Sequence, residues 1–86
     1  IALTKSASLC KILLEAGAKP SPLSLHLAIH FQDAAKVRLL LEYGANPNAL
    51  YEDGSTALAR AALLESEEIV TLLLEHGALP NIEGYN

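Results

Sequence analysis

Two stretches decide the fold: Arg38-Leu-Leu-Leu-Glu-Tyr-Gly-Ala45 and Thr71-Leu-Leu-Leu-Glu-His-Gly-Ala78. A related stretch, Lys11-Ile-Leu-Leu-Glu-Ala-Gly-Ala18, precedes them. When residues 25–48 are laid over residues 58–81 without a gap, 11 of 24 positions are identical. Gly44 and Gly77 lie 33 residues apart. A period near this length predicts a stacked array of repeats.

Each repeat has the local pattern of two helices separated by a short polar break. Apolar residues recur at helical spacing in both halves of the unit. The same repeat position before each second helix holds an expected N-cap residue: Ser6, Asp33 and Ser66. Each second helix is followed by a glycine suited to a left-handed stop: Gly17, Gly44 and Gly77. Residues 52–55, Glu-Asp-Gly-Ser, predict a tight turn between repeats.

These residues resemble the ankyrin repeat, which opens with Thr-Pro-Leu-His-x-Ala-Ala and closes with Leu-Leu-x-x-Gly-Ala-x-x-Asn. Residues 24–29 and 56–62 match the opening, and residues 40–48 and 73–81 match the close. The resemblance implies an all-α fold, an ankyrin-repeat solenoid of stacked antiparallel helix pairs with short turn or hairpin connections. It also implies one array over residues 1–86, divided into a partial repeat (1–19) and two further units (20–52 and 53–86).

The chain departs from the family pattern in three ways. The family's Thr–His pair is split, because His26 faces Leu23 at the Thr position and Thr56 faces Ala59 at the His position. The glycine between the two helices is replaced by Lys5, Gln32 and Glu65. Gly17 and Gly44 are only 27 residues apart, which leaves no room for a full hairpin finger. Since Ser21-Pro22 is a typical helix start, we expect a helix from near Pro22, with a plain loop as the alternative.

The resemblance implies that the hairpin tips and the exposed side of the first helices form a concave protein-binding face. Three of the four aromatic residues fall on this mapped face. Aromatic side chains in a water-exposed groove are typical anchors of protein interfaces. The alternative is that Phe31 and Leu64 pack between repeats. The mapped residues are His30, Phe31, Tyr43, Tyr51, Glu52, Asp53, Ser55, Leu63, Leu64 and His76.

Other chemistry finds little support in the sequence. His26 and His30 lie four apart on one helix, but no third metal ligand is near them. The acidic residues around position 66 suit capping and solubility better than acid–base catalysis. Cys10 stands where Val37 and Val70 stand in the other units, so we expect it to be buried. Asn48 and Asn81 occupy a loop position that some ankyrin proteins offer to an asparaginyl hydroxylase; bonding to loop backbone is the alternative.

Composition limits the classes of partner. The formal net charge is −4 and there is no basic run, so neither nucleic acid nor an anionic membrane surface is an expected partner. The apolar runs are too short to span a bilayer, so we expect no membrane insertion. A single cysteine fits an intracellular setting, cytoplasmic or nuclear.

The functional prediction is therefore a protein–protein interaction scaffold that has no cofactor, no bound metal and no enzymatic activity. The partner is a protein that contacts the concave face. The alternative is a regulatory or targeting segment of a larger multidomain enzyme or channel. If the chain is not part of a longer array, we expect end-to-end stacking or dimerisation through its apolar end faces.

Overall fold

A computed structural model describes residues 7–80, and within this range the regular structure is helical. The isolated antiparallel bridge between Leu50 and Thr56 flanks the turn that joins two units. Residues 7–80 contain no β-strand, so the all-α prediction is confirmed. The helices are α1 (Ala7–Glu15), α2 (Pro22–His30), α3 (Ala34–Glu42), α4 (Ala57–Leu63) and α5 (Glu67–Glu75).

The five helices form two layers. The inner layer is α2 packed on α4, and the outer layer is α1 packed on α3 and α3 packed on α5. Only three residues separate α2 from α3, and the two helices pack together, so they run antiparallel. The helices α4 and α5 form an equivalent pair. Leucine, isoleucine, valine and alanine side chains between the layers form one continuous core. The predicted unit boundaries at residues 19/20 and 52/53 stay predictions.

Helix α2 begins at Pro22, as the Ser21-Pro22 pair predicts. The Ser21 hydroxyl accepts a hydrogen bond from the Ser24 backbone N–H at 3.1 Å, and the Ser24 hydroxyl accepts one from the Ser21 N–H at 2.9 Å. This reciprocal capping box satisfies two backbone donors that the helix itself leaves open. The helix start is therefore confirmed, and the plain-loop alternative is wrong.

The caps of the outer helices differ from one another. The Asp33 carboxylate accepts a hydrogen bond from the Lys36 backbone N–H at 3.1 Å, which confirms it as the cap of α3. Ser66 precedes α5 but makes no side-chain cap bond. Its hydroxyl instead donates to the Gln32 side chain, 3.0 Å away in the preceding unit. Ser66 therefore occupies the predicted N-cap position, but a side-chain bond across the repeat boundary takes the place of the capping bond. Ser6 lies outside the described residues.

Backbone conformation explains how the helices end. Gly44 and Gly77 have φ angles of +97° and +96°, so the predicted left-handed stops are confirmed. The two inner helices also end in a left-handed residue, but here it is Gln32 (φ 55°) or Glu65 (φ 58°). These are the positions where the family usually has glycine. A side chain in this conformation is strained.

The loop after α3 is tied to the loop after α5 by Asn48. Its side-chain amide donates to the Gly77 carbonyl at 3.2 Å, and its side-chain oxygen accepts from the Leu79 N–H at 2.9 Å. The expectation that this side chain bonds to loop backbone is confirmed, and the bonds cross the repeat boundary. Asn81 lies outside the described residues.

The structure also bears on the expected burial of Cys10 and on the length of the apolar helices. Cys10 is fully buried in the core, as its position predicts, and burial raises the pKa of its thiol. Among the described residues, no helix combines the length and the apolar character that a bilayer crossing requires.

Replacing Glu65 with glycine should stabilise the protein by about 1 kcal/mol, because glycine adopts a left-handed conformation without steric cost. Gln32→Gly is the matched comparison: it relieves the same strain but also removes the bond to Ser66. Urea unfolding followed by circular dichroism should rank the free energies of unfolding as Glu65→Gly, then Gln32→Gly, then the parent protein. A loss of stability in Glu65→Gly would contradict the strain argument.

Replacing Asn48 with alanine should lower the free energy of unfolding by about 1 kcal/mol, since two exposed hydrogen bonds between loops are lost. The same urea measurement checks this. Asn46→Ala is the control, because among residues 7–80 the Asn46 side chain bonds within its own loop, to the Asn48 N–H. Equal losses in both variants would show that the link between repeats contributes nothing of its own.

Candidate functional site

The predicted binding residues divide into two groups at opposite ends of the helices. Because each helix pair is antiparallel, the residues after α2 and α4 lie at one end. The inter-repeat turn and the residues after α3 and α5 lie at the other. A nine-residue helix is about 13 Å long, which sets the separation of the two groups. We call the surface that runs between them along α2 and α4 the groove surface.

The first group is apolar and exposed. Phe31 follows α2 and leaves 69% of its surface exposed, and Leu63 at the end of α4 leaves 65%. The His30 ring is exposed and meets Phe31 edge to face, with ring centroids 5.0 Å apart. Leu64 is also exposed, though less so. Since α2 and α4 pack side by side, these residues lie at the same end of two adjacent helices. The alternative of burial between repeats is therefore wrong for Phe31.

The second group centres on Tyr51 in the turn. The Tyr51 ring stacks on the His26 ring of α2, with centroids 3.6 Å apart and planes within 10°. The guanidinium of Arg60 in α4 lies over the Tyr51 ring, 4.5 Å from its centroid. Tyr51 therefore joins the inner helices of two repeats, and its half-buried ring is held in place from both sides.

Arg60 also organises the rest of the turn. One of its terminal nitrogens pairs with the Asp53 carboxylate at 2.8 Å, and its Nε donates to the Ser55 hydroxyl at 3.1 Å. Asp53 in turn accepts hydrogen bonds from the Ser55 hydroxyl at 2.6 Å and the Ser55 N–H at 3.0 Å. These bonds from Ser55, with the Arg60 charge, lower the pKa of the exposed Asp53 carboxyl. Glu52 remains exposed at the tip.

The structure corrects the placement of Ser55. The sequence mapped it onto the exposed turn, but its side chain is buried beneath Asp53 and Arg60. Its hydroxyl bonds to Asp53 and to Arg60, and the exposed tip of the turn is left to Glu52 and Asp53. Sequence mapping also missed Arg60 and His26 as parts of this cluster. The charge pair of Asp53 and Arg60 is visible in the sequence, but the stacking of His26 on Tyr51 is not.

Tyr43 and His76 lie at equivalent positions, as the residues that terminate α3 and α5. Tyr43 is exposed. The His76 ring is half-buried, and its Nδ1 donates to the Leu72 carbonyl at 2.9 Å. His76 therefore helps to close its own helix, while Tyr43 presents more of its ring to solvent.

No group of three or more His, Cys, Asp or Glu side chains between residues 7 and 80 is placed to hold a metal ion. His26 is instead engaged with Tyr51 and with the Ala49 backbone. The chemistry available at the groove surface is apolar contact, ring stacking and hydrogen bonding at the turn.

A family model described as ankyrin repeats (3 copies) matches residues 1–83. The chain belongs to the ankyrin-repeat family. Ankyrin repeats generally mediate protein–protein interaction and are typically non-catalytic. Membership agrees with the helix pairs, the glycine stops and the two-layer stack of the structure.

Similar ankyrin-repeat sequences occur in bacterial, viral and human proteins. The chain is 34% identical over 59 residues to an ankyrin repeat protein of Rickettsia felis, covering 69% of this chain and 22% of the relative. It is 46% identical over 50 residues to an ankyrin repeat protein of fowlpox virus, covering 58% of this chain and 7% of the relative. It is 43% identical over 60 residues to the human 2-5A-dependent ribonuclease, covering 69% of this chain and 8% of the relative. The matched region is thus a small part of each of these relatives.

The stability of this ankyrin array should depend on pH through His26. Burial lowers the pKa of its imidazole below the ordinary 6.5, the Arg60 charge lowers it further, and a hydrogen bond to the Ala49 backbone opposes both. The unfolded chain therefore binds a proton near pH 6.5 that the folded chain binds only at lower pH. Stability from this group is complete above about pH 6.5. It is lost as the pH falls toward the lower folded pKa.

Urea unfolding at a series of pH values between about 5 and 8 checks this, with His26→Phe as the comparison. Phenylalanine keeps a flat ring for stacking on Tyr51 but cannot titrate. The free energy of unfolding of the parent should rise with pH across the acidic part of this range, and the variant should show a shallower rise. Parallel curves for the two proteins would contradict the role of His26.

Proposed function

We propose that this ankyrin array is a protein-recognition module that binds a partner protein through the groove surface. The observation that carries the proposal is the exposure of Phe31 and Leu63 at the ends of adjacent inner helices. Large apolar side chains held side by side in water mark interaction sites, and aromatic anchors dominate the energetics of protein interfaces. Family membership supports the same class of function.

The two ends of the groove surface would make different contributions to binding. The apolar end, with His30, Phe31, Leu63 and Leu64, offers area to bury. At the turn, Glu52 and Asp53 offer carboxylates beside the Tyr51 ring, with Tyr43 and His76 at the margin. Because Arg60 already pairs with Asp53, the turn is held rigid before binding, which lowers the entropy lost on association. A partner with an apolar ridge flanked by a basic or hydrogen-bond-donating segment fits this arrangement.

We also propose an intracellular setting, cytoplasmic or nuclear, which the single and buried Cys10 supports. A second candidate function is that of a regulatory or targeting segment in a larger enzyme or channel. This second candidate is supported by the similarity to a stretch that makes up 8% of the human 2-5A-dependent ribonuclease. In both cases recognition through the groove surface is the physical act, and catalysis is not assigned to this chain.

The test is a quantitative pull-down from cell lysate with matched variants. The groove variant is Phe31→Ala with Leu63→Ala, and the control is Ile12→Ala with Leu74→Ala, two exposed aliphatic residues of the outer layer. Helicity of all proteins is compared by circular dichroism. We expect a protein captured by the parent and the control to fall at least tenfold with the groove variant, because truncating central anchors costs about 2 kcal/mol or more.

Capture that survives in the groove variant and falls in the control would move the binding site to the outer layer. Equal capture by all three proteins would show that neither the groove surface nor the outer layer binds the captured protein. Direct titration of the captured protein, once identified, with each purified variant gives the loss in affinity and excludes indirect capture.

A further inference from the structure

The outer layer contains a solvent-open cleft where α1 lies against α3. Its volume is about 270 Å³. Its walls are Ser8 and Lys11 from α1, and Ala35, Arg38, Leu39 and Glu42 from α3. Leu39 is half-buried and the other five residues are exposed. The cleft lies between outer helices, whereas the groove surface runs along the inner ones, so the two are separate surfaces. We call it the outer cleft.

Two cations meet in the outer cleft. Lys11 and Arg38 occupy the same repeat position in adjacent units, and the packing of α1 on α3 brings them to one cleft. Neither cation has an acidic partner within ion-pair distance among residues 7–80. Glu42 also lines the cleft, one helical turn after Arg38, so the local balance is two cations against one carboxylate. The Ser8 hydroxyl adds a hydrogen-bond donor.

The next junction, where α3 packs on α5, differs in charge and in closure. At the position of Arg38, α5 carries Thr71, and Glu68 lies one helical turn before it. Leu72 corresponds to Leu39 but is only 5% exposed, so apolar packing closes this junction more tightly. The pair of cations in an open cleft is therefore a property of the first junction and not of the repeat itself.

The charge of the whole chain is uneven in the same sense. Residues 1–43 carry five Lys and Arg against three Asp and Glu, whereas residues 44–86 carry one against seven. The net charge of −4 thus combines a cationic first half with a strongly acidic second half. An anion that approaches the chain is attracted toward the half that contains the outer cleft and repelled by the other.

We propose that the outer cleft binds a phosphate group carried on a side chain of a partner protein. A phosphorylated side chain brings a charge of about −1.5 to −2 at pH 7 and three acceptor oxygens, which match two cations and a hydroxyl donor. The Arg38 guanidinium suits the fork of phosphate oxygens, and Lys11 acts as a point charge. A carboxylate offers one charge and two oxygens, so it matches the donors less well.

The size and lining of the outer cleft fit a phosphate that is attached to a chain. One water molecule takes up roughly 30 Å³ in the liquid, so the cleft has room for the phosphate and for part of the segment that carries it. Leu39 and Ala35 offer apolar contact to that segment. Both cations are exposed, so salt screens the attraction and the affinity should fall as the ionic strength rises.

An NMR titration of the isotope-labelled 86-residue chain tests the site. The probes are a short peptide whose one charged group is a phosphoserine, the same peptide with serine, and inorganic phosphate, all at matched ionic strength. Two charge-assisted contacts correspond to a dissociation constant on the order of 1 mM. The phosphoserine peptide should shift the amides of residues 8–11 and 35–42 saturably, and the serine peptide should not.

Inorganic phosphate should shift the same amides with lower affinity than the phosphoserine peptide. Equal affinities would overturn the assignment to a protein segment, because the attached chain would then contribute nothing. Shifts that fall outside residues 8–11 and 35–42, or that are equal for the serine and phosphoserine peptides, would overturn the site itself.

Single-charge variants separate the outer cleft from general attraction by positive charge. Arg38→Gln and Lys11→Gln should each weaken phosphopeptide binding about tenfold, because each removes a charge-assisted contact. Lys19→Gln is the control: it removes the same charge from an exposed residue that does not line the cleft, and the affinity should stay within about twofold. Glu42→Gln should tighten binding about twofold by removing the nearby carboxylate.

Equal losses in Lys19→Gln and Arg38→Gln would overturn the proposal, since the attraction would then belong to the net charge. Circular dichroism verifies that each variant folds, and if one cation variant fails to fold, the other carries the test. The proposal does not rest on the groove surface: the Phe31→Ala, Leu63→Ala variant should bind the phosphopeptide as the parent does. Its result therefore separates failure of this site from failure of the groove.

Discussion

The structure depends on one repeat covering the apolar side of the repeat before it. Helix α3 is the clearest case, because α1 lies on one side of it and α5 on the other. Val37 and Leu40 are inaccessible to solvent as a result. No single helix pair of nine-residue helices could bury so much apolar surface alone, so the stability of the array is a sum over neighbouring contacts.

Polar bonds at the repeat boundaries fix the orientation that this packing allows. Asn48 joins the loops after the outer helices and Ser66 joins the inter-helix breaks, while Tyr51 links the inner helices through its contacts with His26 and Arg60. Because these links lie at both ends of the helices, they restrain the orientation of one repeat against the next. A rigid surface gives its exposed residues defined positions before any partner arrives.

Much of the fold could be predicted from the sequence, because it rests on local and periodic signals. Glycine at the helix stops, Ser21-Pro22 at the start of α2 and Asp33 at the start of α3 each act within a few residues. The 33-residue period predicted that the repeats stack on one another. Ser66 is also the N-cap residue of α5, but the sequence could not predict that its hydroxyl bonds to Gln32, since that bond depends on the distance between repeats.

The candidate site was predicted less completely, because several of its contacts depend on how adjacent repeats pack. The repeat position alone predicts that residues at the end of the inner helices, such as Phe31, lie on the mapped face, and their exposure agrees with that mapping. Ser55 follows the exposed residues of the turn, but its side chain is buried, with its hydroxyl bonded to Asp53 and Arg60. The His26–Tyr51–Arg60 stack joins residues of two repeats, and no pattern along the chain indicates that these side chains meet.

Hydrogen–deuterium exchange resolved by residue tests the central claim that each repeat is stabilised by its neighbours. The account predicts that backbone amides in α3, covered on both sides, exchange slowest, and that those in α1 and α5 exchange faster although all three helices have the same length. Protection that is equal in the three outer helices, or greatest in α5, would contradict it, because the helices would then be stable without the contacts between repeats.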